Sequence, residues 1–266
     1  MKAKGKAWVN LGLYFLTLGI NALGAFGFIN GMSQKEVSDA FPTLITPSPS
    51  TFSIWGVIYT LLLISLIFMI VKNGDAKTAK LIDTISPLFW VCSVANILWI
   101  TAFSYEWIGV STLIILILAI GLALLNKRLT TPDGLFQKVN ALAFGLYAGW
   151  LIIATVVNVS AFLVQAKWNG FGLSPDTWAL IILVVALLLT CLIQLLLRNA
   201  ALTLPLAWGY YGIWQQHQAQ GVYAGQYPAI ATVAIIISIV YIVIAGFVFV
   251  QNKFCLLPKR KAQEQA

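Results

Sequence analysis

The strongest constraint on this chain is the stretch from Ser50 to Met69, twenty residues without a charge. A run of that length crosses a bilayer as one helix. It follows Pro47-Ser48-Pro49, and the helix-start prolines, with Ser50 as a candidate N-cap, predict where the helix begins. Phe52, Trp55 and Tyr59 fall at i, i+3 and i+7, so they share one face. Lipid contact asks only for aliphatic side chains. An aromatic stripe with polar edges points instead to a packed or ligand-facing surface. The competing explanation is an interfacial belt, because Trp and Tyr favour headgroup depth. A belt accounts for Phe52 and Trp55 better than for Tyr59, which lies about three turns into the helix.

The rest of the chain supports a membrane reading. Of 266 residues, 60% are hydrophobic and 9% charged, against about 45–50% and 25% in soluble domains. The fold class is therefore all-α, a polytopic membrane helical bundle whose partner is the lipid bilayer. The net charge of +8 does not imply nucleic acid, since the basic residues sit in short loops between apolar runs. Cys92, Cys191 and Cys255 are far apart and show no metal or disulfide spacing. They read as inert core residues. His217 is the single histidine, so no catalytic triad and no histidine metal cluster can form within one chain.

Eight apolar segments follow, at about 7–29, 50–71, 82–104, 108–126, 139–164, 177–197, 200–214 and 228–251. The first, behind Lys2, Lys4 and Lys6, has features of a signal peptide, but its length and the topology of the rest predict a retained helix. Residues 31–49 read as a polar loop. The short Tyr105-Glu106-Trp107 turn predicts an antiparallel helical hairpin, and Pro132-Asp133-Gly134 is a turn signal. The seventh segment is short and contains Pro205. Charge argues for keeping it. With eight alternating helices and a cytoplasmic N-terminus, 14 of the 16 basic residues fall on the cytoplasmic side, including the Lys259-Arg260-Lys261 tail, and only Lys35 and Lys167 fall outside. This predicts a multi-pass protein of the cytoplasmic membrane with both termini in the cytoplasm.

Two further spans repeat the stripe. Asn96, Trp99 and Phe103 have the i, i+3, i+7 spacing, and Tyr147, Trp150, Ala154 and Asn158 extend it to i+11. Trp offers a flat apolar face and one N–H donor, and a membrane-embedded amide needs a partner. Together they suit a cavity for a flat, mostly apolar molecule with a few polar handles, such as a tetrapyrrole. The alternative is that the asparagines are interhelical glue and the tryptophans core filling. Gly145 and Gly149, like Gly19, Gly24 and Gly27, are candidates for close helix packing. Asp83 reads as a cap or dipole partner at a helix start, Glu106 as solvated, and His217 as a solvated loop residue rather than a haem ligand. No ionisable group lies at depth, which argues against proton-coupled transport and against an enzyme using acid–base chemistry. No cofactor is required.

These segments resemble the TspO/MBR family of tryptophan-rich sensory and translocator proteins. The carriers are Pro49 to Tyr59 with Phe52, Trp55 and Tyr59, then Ala95-Asn96-Ile97-Leu98-Trp99 with Phe103, then Tyr147-Ala148-Gly149-Trp150 with Val157-Asn158. Leu146 stands where that family usually has proline, and the first loop lacks its usual tryptophan. The resemblance covers about residues 10–165. It implies a five-helix core over 1–165, with three additional helices and a short basic tail over 166–266. It also implies a pocket for porphyrin, haem or sterol open toward the outer face, lined by Phe52, Trp55, Tyr59, Asn96, Trp99, Phe103, Tyr147, Trp150 and Asn158. A homodimer is common in such proteins. Some members promote light-dependent porphyrin breakdown, with tryptophans at positions similar to Trp55 and Trp150. Ligand binding or sensing is the leading expectation. A small-molecule transporter or permease, and a photo-dependent porphyrin-degrading enzyme, are the alternatives.

Overall fold

In hydrocarbon a backbone N–H or C=O finds no water, so an apolar run must satisfy its hydrogen bonds internally, as a helix does. The computed structural model describes residues 1–129 and 134–258, and among these it contains nine α-helices and no strand. They are α1 (Ala3–Ala25), α2 (Gln34–Ala40), α3 (Ile54–Val71), α4 (Ala76–Ser104), α5 (Ile108–Arg128), α6 (Leu135–Gln165), α7 (Pro175–Leu197), α8 (Leu204–Gln216) and α9 (Pro228–Gln251). A 3₁₀ turn, Pro49–Ser53, leads into α3. Seven helices, all but α2 and α8, are long and apolar enough to cross a membrane. Pro132 and Asp133 of the expected turn, and the Lys259-Arg260-Lys261 tail, lie outside the described residues.

Several boundaries differ from expectation for identifiable reasons. Residues 31–49 are not all loop, because Ser33 and Glu36 close a capping box that starts α2. The helix α4 begins at Ala76, one and a half turns early, because Asp75 accepts from the Thr78 N–H at 2.9 Å and caps it. Asp83 is therefore not a cap; it lies inside α4 and pairs with Lys6 of α1 at 2.8 Å. Ser50 is not an N-cap either. It lies in the 3₁₀ turn, and its hydroxyl is 3.0 Å from that of Ser48. The α4–α5 hairpin forms as expected, its turn closed by Glu106 at φ 57°.

Helix α4 packs between α1 and α5, α6 packs on α5, α3 and α8, and α9 packs on α8 and α7. One main hydrophobic core joins α1 and α3 through α9, and α2 packs on a separate small cluster through Val37. Helix ends collect on two faces. One carries α2, the loop of residues 41–49 and the 217–227 loop, and is called the lid face below. Among described residues Lys35 and Lys167 lie at the lid face, and every other Lys and Arg lies at the opposite face.

The seventh segment crosses by an unusual device. Helix α8 has 13 residues, about 20 Å, too short for a core of about 30 Å. The five residues 199–203 complete the path without being helical, and all five are buried. Irregular backbone at this depth is tolerated only inside protein. Its partners are present. Asn199 donates to the Asn126 side chain at 3.0 Å and to the Ala141 carbonyl at 2.8 Å, and accepts from the Ala201 N–H. Thr203 donates to the Tyr241 carbonyl at 2.9 Å. The approach depends on two glycines of α6. A Cβ on Gly149 would sit 1.9 Å from the Leu202 carbonyl oxygen, and one on Gly145 would sit 2.7 Å from the Asn199 side chain.

Replacing Gly149 by Ala must push the Leu202 backbone away. We expect a loss of about 1–3 kcal/mol, read as a lower melting temperature in detergent. The control Gly246→Ala, mid-helix in α9 where a Cβ meets nothing within 4 Å, does not lower stability.

Candidate functional site

Beneath the lid face lies a cavity of about 470 Å³. Its walls come from the start of α3, the end of α4 and the second half of α6, and its roof from α2, the 41–49 strap, the end of α8 and the loop after it. Of the nine expected site residues, Phe52, Trp55, Trp99, Phe103, Trp150 and Asn158 line it. Tyr59, Asn96 and Tyr147 do not. They belong to the packed layer under its floor. The pattern has one cause. Each stripe runs along its helix from the lid inward, and only the lid-ward residues reach the cavity.

The aromatic rings hold one another at fixed angles. Trp55 stacks on Tyr59 with centroids 5.1 Å apart and an interplanar angle of 16°. It meets Trp150 edge to face at 6.2 Å and Tyr147 at 6.0 Å. Phe52 meets Trp150 edge to face at 5.8 Å. Such contacts add about 0.5–1.5 kcal/mol per pair beyond simple burial, and they make the wall stiff. Phe52 is the mobile candidate, being 44% exposed and held by the 3₁₀ turn rather than by α3 itself.

Both asparagines act as interhelical glue. Asn158 accepts from the Trp99 indole N–H at 3.0 Å and donates to Thr112 at 2.7 Å and Ser111 at 3.0 Å, tying α6 to α4 and α5. Asn96 donates to the Tyr147 hydroxyl at 2.9 Å and accepts from Asn21 at 2.6 Å. The glue and the cavity are thus not alternatives, since the amides fix the tryptophans whose faces form the wall. Polar groups line the roof, where Gln34, Lys35, Ser38 and Asp39 of α2 frame the mouth and Lys35 pairs with Asp39, and in the wall the Trp150 indole N–H is buried without a hydrogen-bond partner. No cluster of His, Cys, Asp or Glu suited to a metal ion occurs among the described residues.

Three features escape the stripe reading. Asn10, Tyr14, Thr17 and Asn21 form a polar stripe on α1 at i, i+4, i+7 and i+11, all but Asn21 buried. Asn10 donates to Ser86 at 2.9 Å and accepts from Trp90 at 2.7 Å. The same periodicity test, applied to amides rather than aromatics, would find it. The second is α2, whose capping signature Ser33-Gln34-Lys35-Glu36 is legible in the sequence. The third is His217, which is not solvated. It is 2% exposed, bonded through Nε2 to the Leu44 carbonyl at 2.8 Å and stacked on Tyr223 at 4.7 Å. Glu106 is likewise half-buried, its carbonyl accepting from Gln165.

Replacing Asn158 by Leu orphans the Trp99 N–H, because Ser111 and Thr112 keep their own bonds to Ile108. The expected cost is about 1–3 kcal/mol. In a double-mutant cycle with Trp99→Phe, followed by thermal unfolding, the double variant loses less than the sum of the two.

A family model described as TSPO-like protein matches residues 7–247, which is most of the chain. Neither curated proteins nor solved structures gave a significant match. Seven apolar helices, three aromatic stripes meeting at one cavity and a family match that runs from α1 into α9 lead to one statement: the chain belongs to the TSPO-like protein family.

Proposed function

We propose that this protein binds a flat hydrophobic ligand of the tetrapyrrole or sterol type in the cavity under its lid, to sense it or to pass it on. The observation that carries this reading is a cavity of about 470 Å³ walled by Trp55, Trp99 and Trp150. That volume lies within the range of about 300–1,000 Å³ for small-molecule pockets. The rings are locked edge to face and the deep amides are already paired. The interior therefore rewards shape and apolar area, while the polar roof suits the hydrated end of an amphipathic guest. Helices α1 to α6 form this cradle, and α7 to α9 buttress it and supply part of its roof. The distribution of basic residues supports placing the lid face outside and both termini in the cytoplasm of a cell membrane.

One observation favours transport as a second reading. The interrupted seventh segment has the form of the broken helices found in transporters. It is nevertheless packed closely against Gly149 of α6, so we place ligand binding first.

The test is tryptophan-fluorescence quenching by protoporphyrin and by haem, with Trp55→Phe, Trp150→Phe and, as a control outside the cavity, Trp178→Phe. Saturable quenching whose affinity falls about tenfold or more in the first two variants, a loss of about 1.4 kcal/mol, and is unchanged in the third is the expected result. Linear quenching equal in all variants would remove the tetrapyrrole reading. Illumination of a saturable complex then tests for porphyrin breakdown.

A further inference from the structure

The roof of the cavity consists of two chain segments that are not neighbours in sequence. The strap of residues 41–49 runs over the mouth, and Thr46, Pro47 and Pro49 line it. The C-terminal part of α8 and the loop after it meet the strap from the other side, with Gln216 and Val222 also lining the cavity. Four hydrogen bonds join the two. The Ser48 N–H donates to the Gly212 carbonyl at 3.0 Å, and the Ser48 hydroxyl donates to Gln215 at 2.8 Å. The Tyr223 hydroxyl donates to the Thr43 carbonyl at 2.9 Å, and His217 bonds the Leu44 carbonyl at 2.8 Å.

The histidine differs from the others in being titratable. A carbonyl oxygen can only accept, so Nε2 carries the proton and Nδ1 presents a lone pair. That Nδ1 is buried and has no partner. Tyr223 stacks on the ring at 4.7 Å, and Tyr227 meets it edge to face at 5.9 Å. Neither ring carries a carboxylate that could serve as counter-ion, and burial raises the pKa of the Tyr223 phenol. No ion pair to His217 occurs among the described residues, and the charged groups over the same cavity, Lys35 and Asp39 of α2, are paired with each other. A proton added at Nδ1 would therefore create a buried N–H without an acceptor and a buried charge without a counter-ion, both costly.

We propose that His217 is a pH-sensitive latch on the roof of the cavity: neutral, it holds the strap to the loop after α8, and protonated, it releases the strap and opens the mouth. This rests on the ligand-binding reading only for its purpose, not for its mechanics. Burial lowers the pKa of His217 below its ordinary 6.5, with the Leu44 bond acting the other way. The closed form thus binds the proton more weakly than the open form. Its stability is complete above about pH 6.5 and falls as pH drops toward the lowered value. Glu36, which caps α2, is held below its usual 4.5 by its bonds to Ser33, so it stays ionised through the window in which the latch acts.

The test is amide hydrogen exchange on the full chain in detergent without ligand, read as protection factors at Thr46, Ser48 and Tyr223 from about pH 7.5 to about pH 5. These N–H groups bond Thr43, Gly212 and Gln216 in the closed roof. Protection should fall, by at most about tenfold per pH unit, as pH drops below about 6.5, while amides in the middle of α6 stay unchanged. In His217→Gln, which keeps a donor for Leu44 but does not titrate, the roof should be insensitive to pH. Unchanged protection in the wild type, or an equal fall in His217→Gln, overturns the latch. The wild-type profile alone decides if the variant does not fold. The rate of protoporphyrin quenching, measured over the same pH range, separates the two ideas. Roof opening without saturable quenching leaves the latch and removes the tetrapyrrole, and saturable quenching with a roof insensitive to pH does the reverse.

Discussion

A side-chain amide carried into the span needs a hydrogen-bond partner inside the protein. The helices themselves satisfy the backbone, but the side-chain amides cannot turn to water. This chain places buried asparagines on α1, α4, α5 and α6 and after α7, and each is bonded: Asn10 to Ser86 and Trp90, Asn96 to Tyr147, Asn126 to the Phe144 carbonyl, Asn140 to Ser65, Asn158 to Trp99, and Asn199 to Asn126 and Ala141. Apolar contact between helices discriminates poorly against lipid, whose tails are as apolar as leucine. Paired amides do discriminate, because each has few alternative partners. They set the rotation of α4 and α6, and with it the direction in which Trp99 and Trp150 face.

The cavity follows from that rotation. Three helices aim an aromatic stripe at a common axis. The deep ends of the stripes close on one another at Tyr147, which meets Trp55 edge to face and accepts from Asn96. The shallow ends diverge, and the space between them is left for the roof. Helix α2 covers that space through Val37, whose side chain is fully buried in a small cluster with Ile108 and Ala161, apart from the main core. The base of the site is thus rigid, while its cover is held by the small Val37 cluster, a Gln34 bond to the Asn21 carbonyl and the four bonds of the strap. In physical terms the cover belongs to the low-stability end of the molecule.

The legible parts of this structure are those that depend on short periodicity. The spans, the α4–α5 hairpin and the three stripes follow from spacing along single helices, and the close-packing role of Gly145 and Gly149 follows from small residues one turn apart. What the periodicity could not show was which end of each stripe would be sealed, since that depends on where neighbouring helices converge. Tyr59 and Trp55 look equivalent in sequence, yet only one reaches the cavity. His217 was unreadable for a similar reason. Its surroundings of glutamines suggest solvent, and the residues that bury it, Leu44 and Tyr227, come from a distant strap and a later turn. The seventh segment lay between these cases. Charge required a crossing, but nothing local indicated that its first five residues would be non-helical and packed against glycines on α6.

That interrupted segment constrains the order in which the protein can be made. A leucine-rich helix such as α7 can leave the insertion machinery alone, because its backbone is complete in lipid. Residues 199–216 cannot. The Thr203 hydroxyl waits for the Tyr241 carbonyl, the Ala207 carbonyl for the Ser238 hydroxyl, and the Ala200 N–H for the Leu256 carbonyl. All three partners are synthesised later. The segment must therefore remain sheltered, in the translocation channel or against α6, until α9 has emerged, so the roof of the cavity is among the last parts of the chain to take shape.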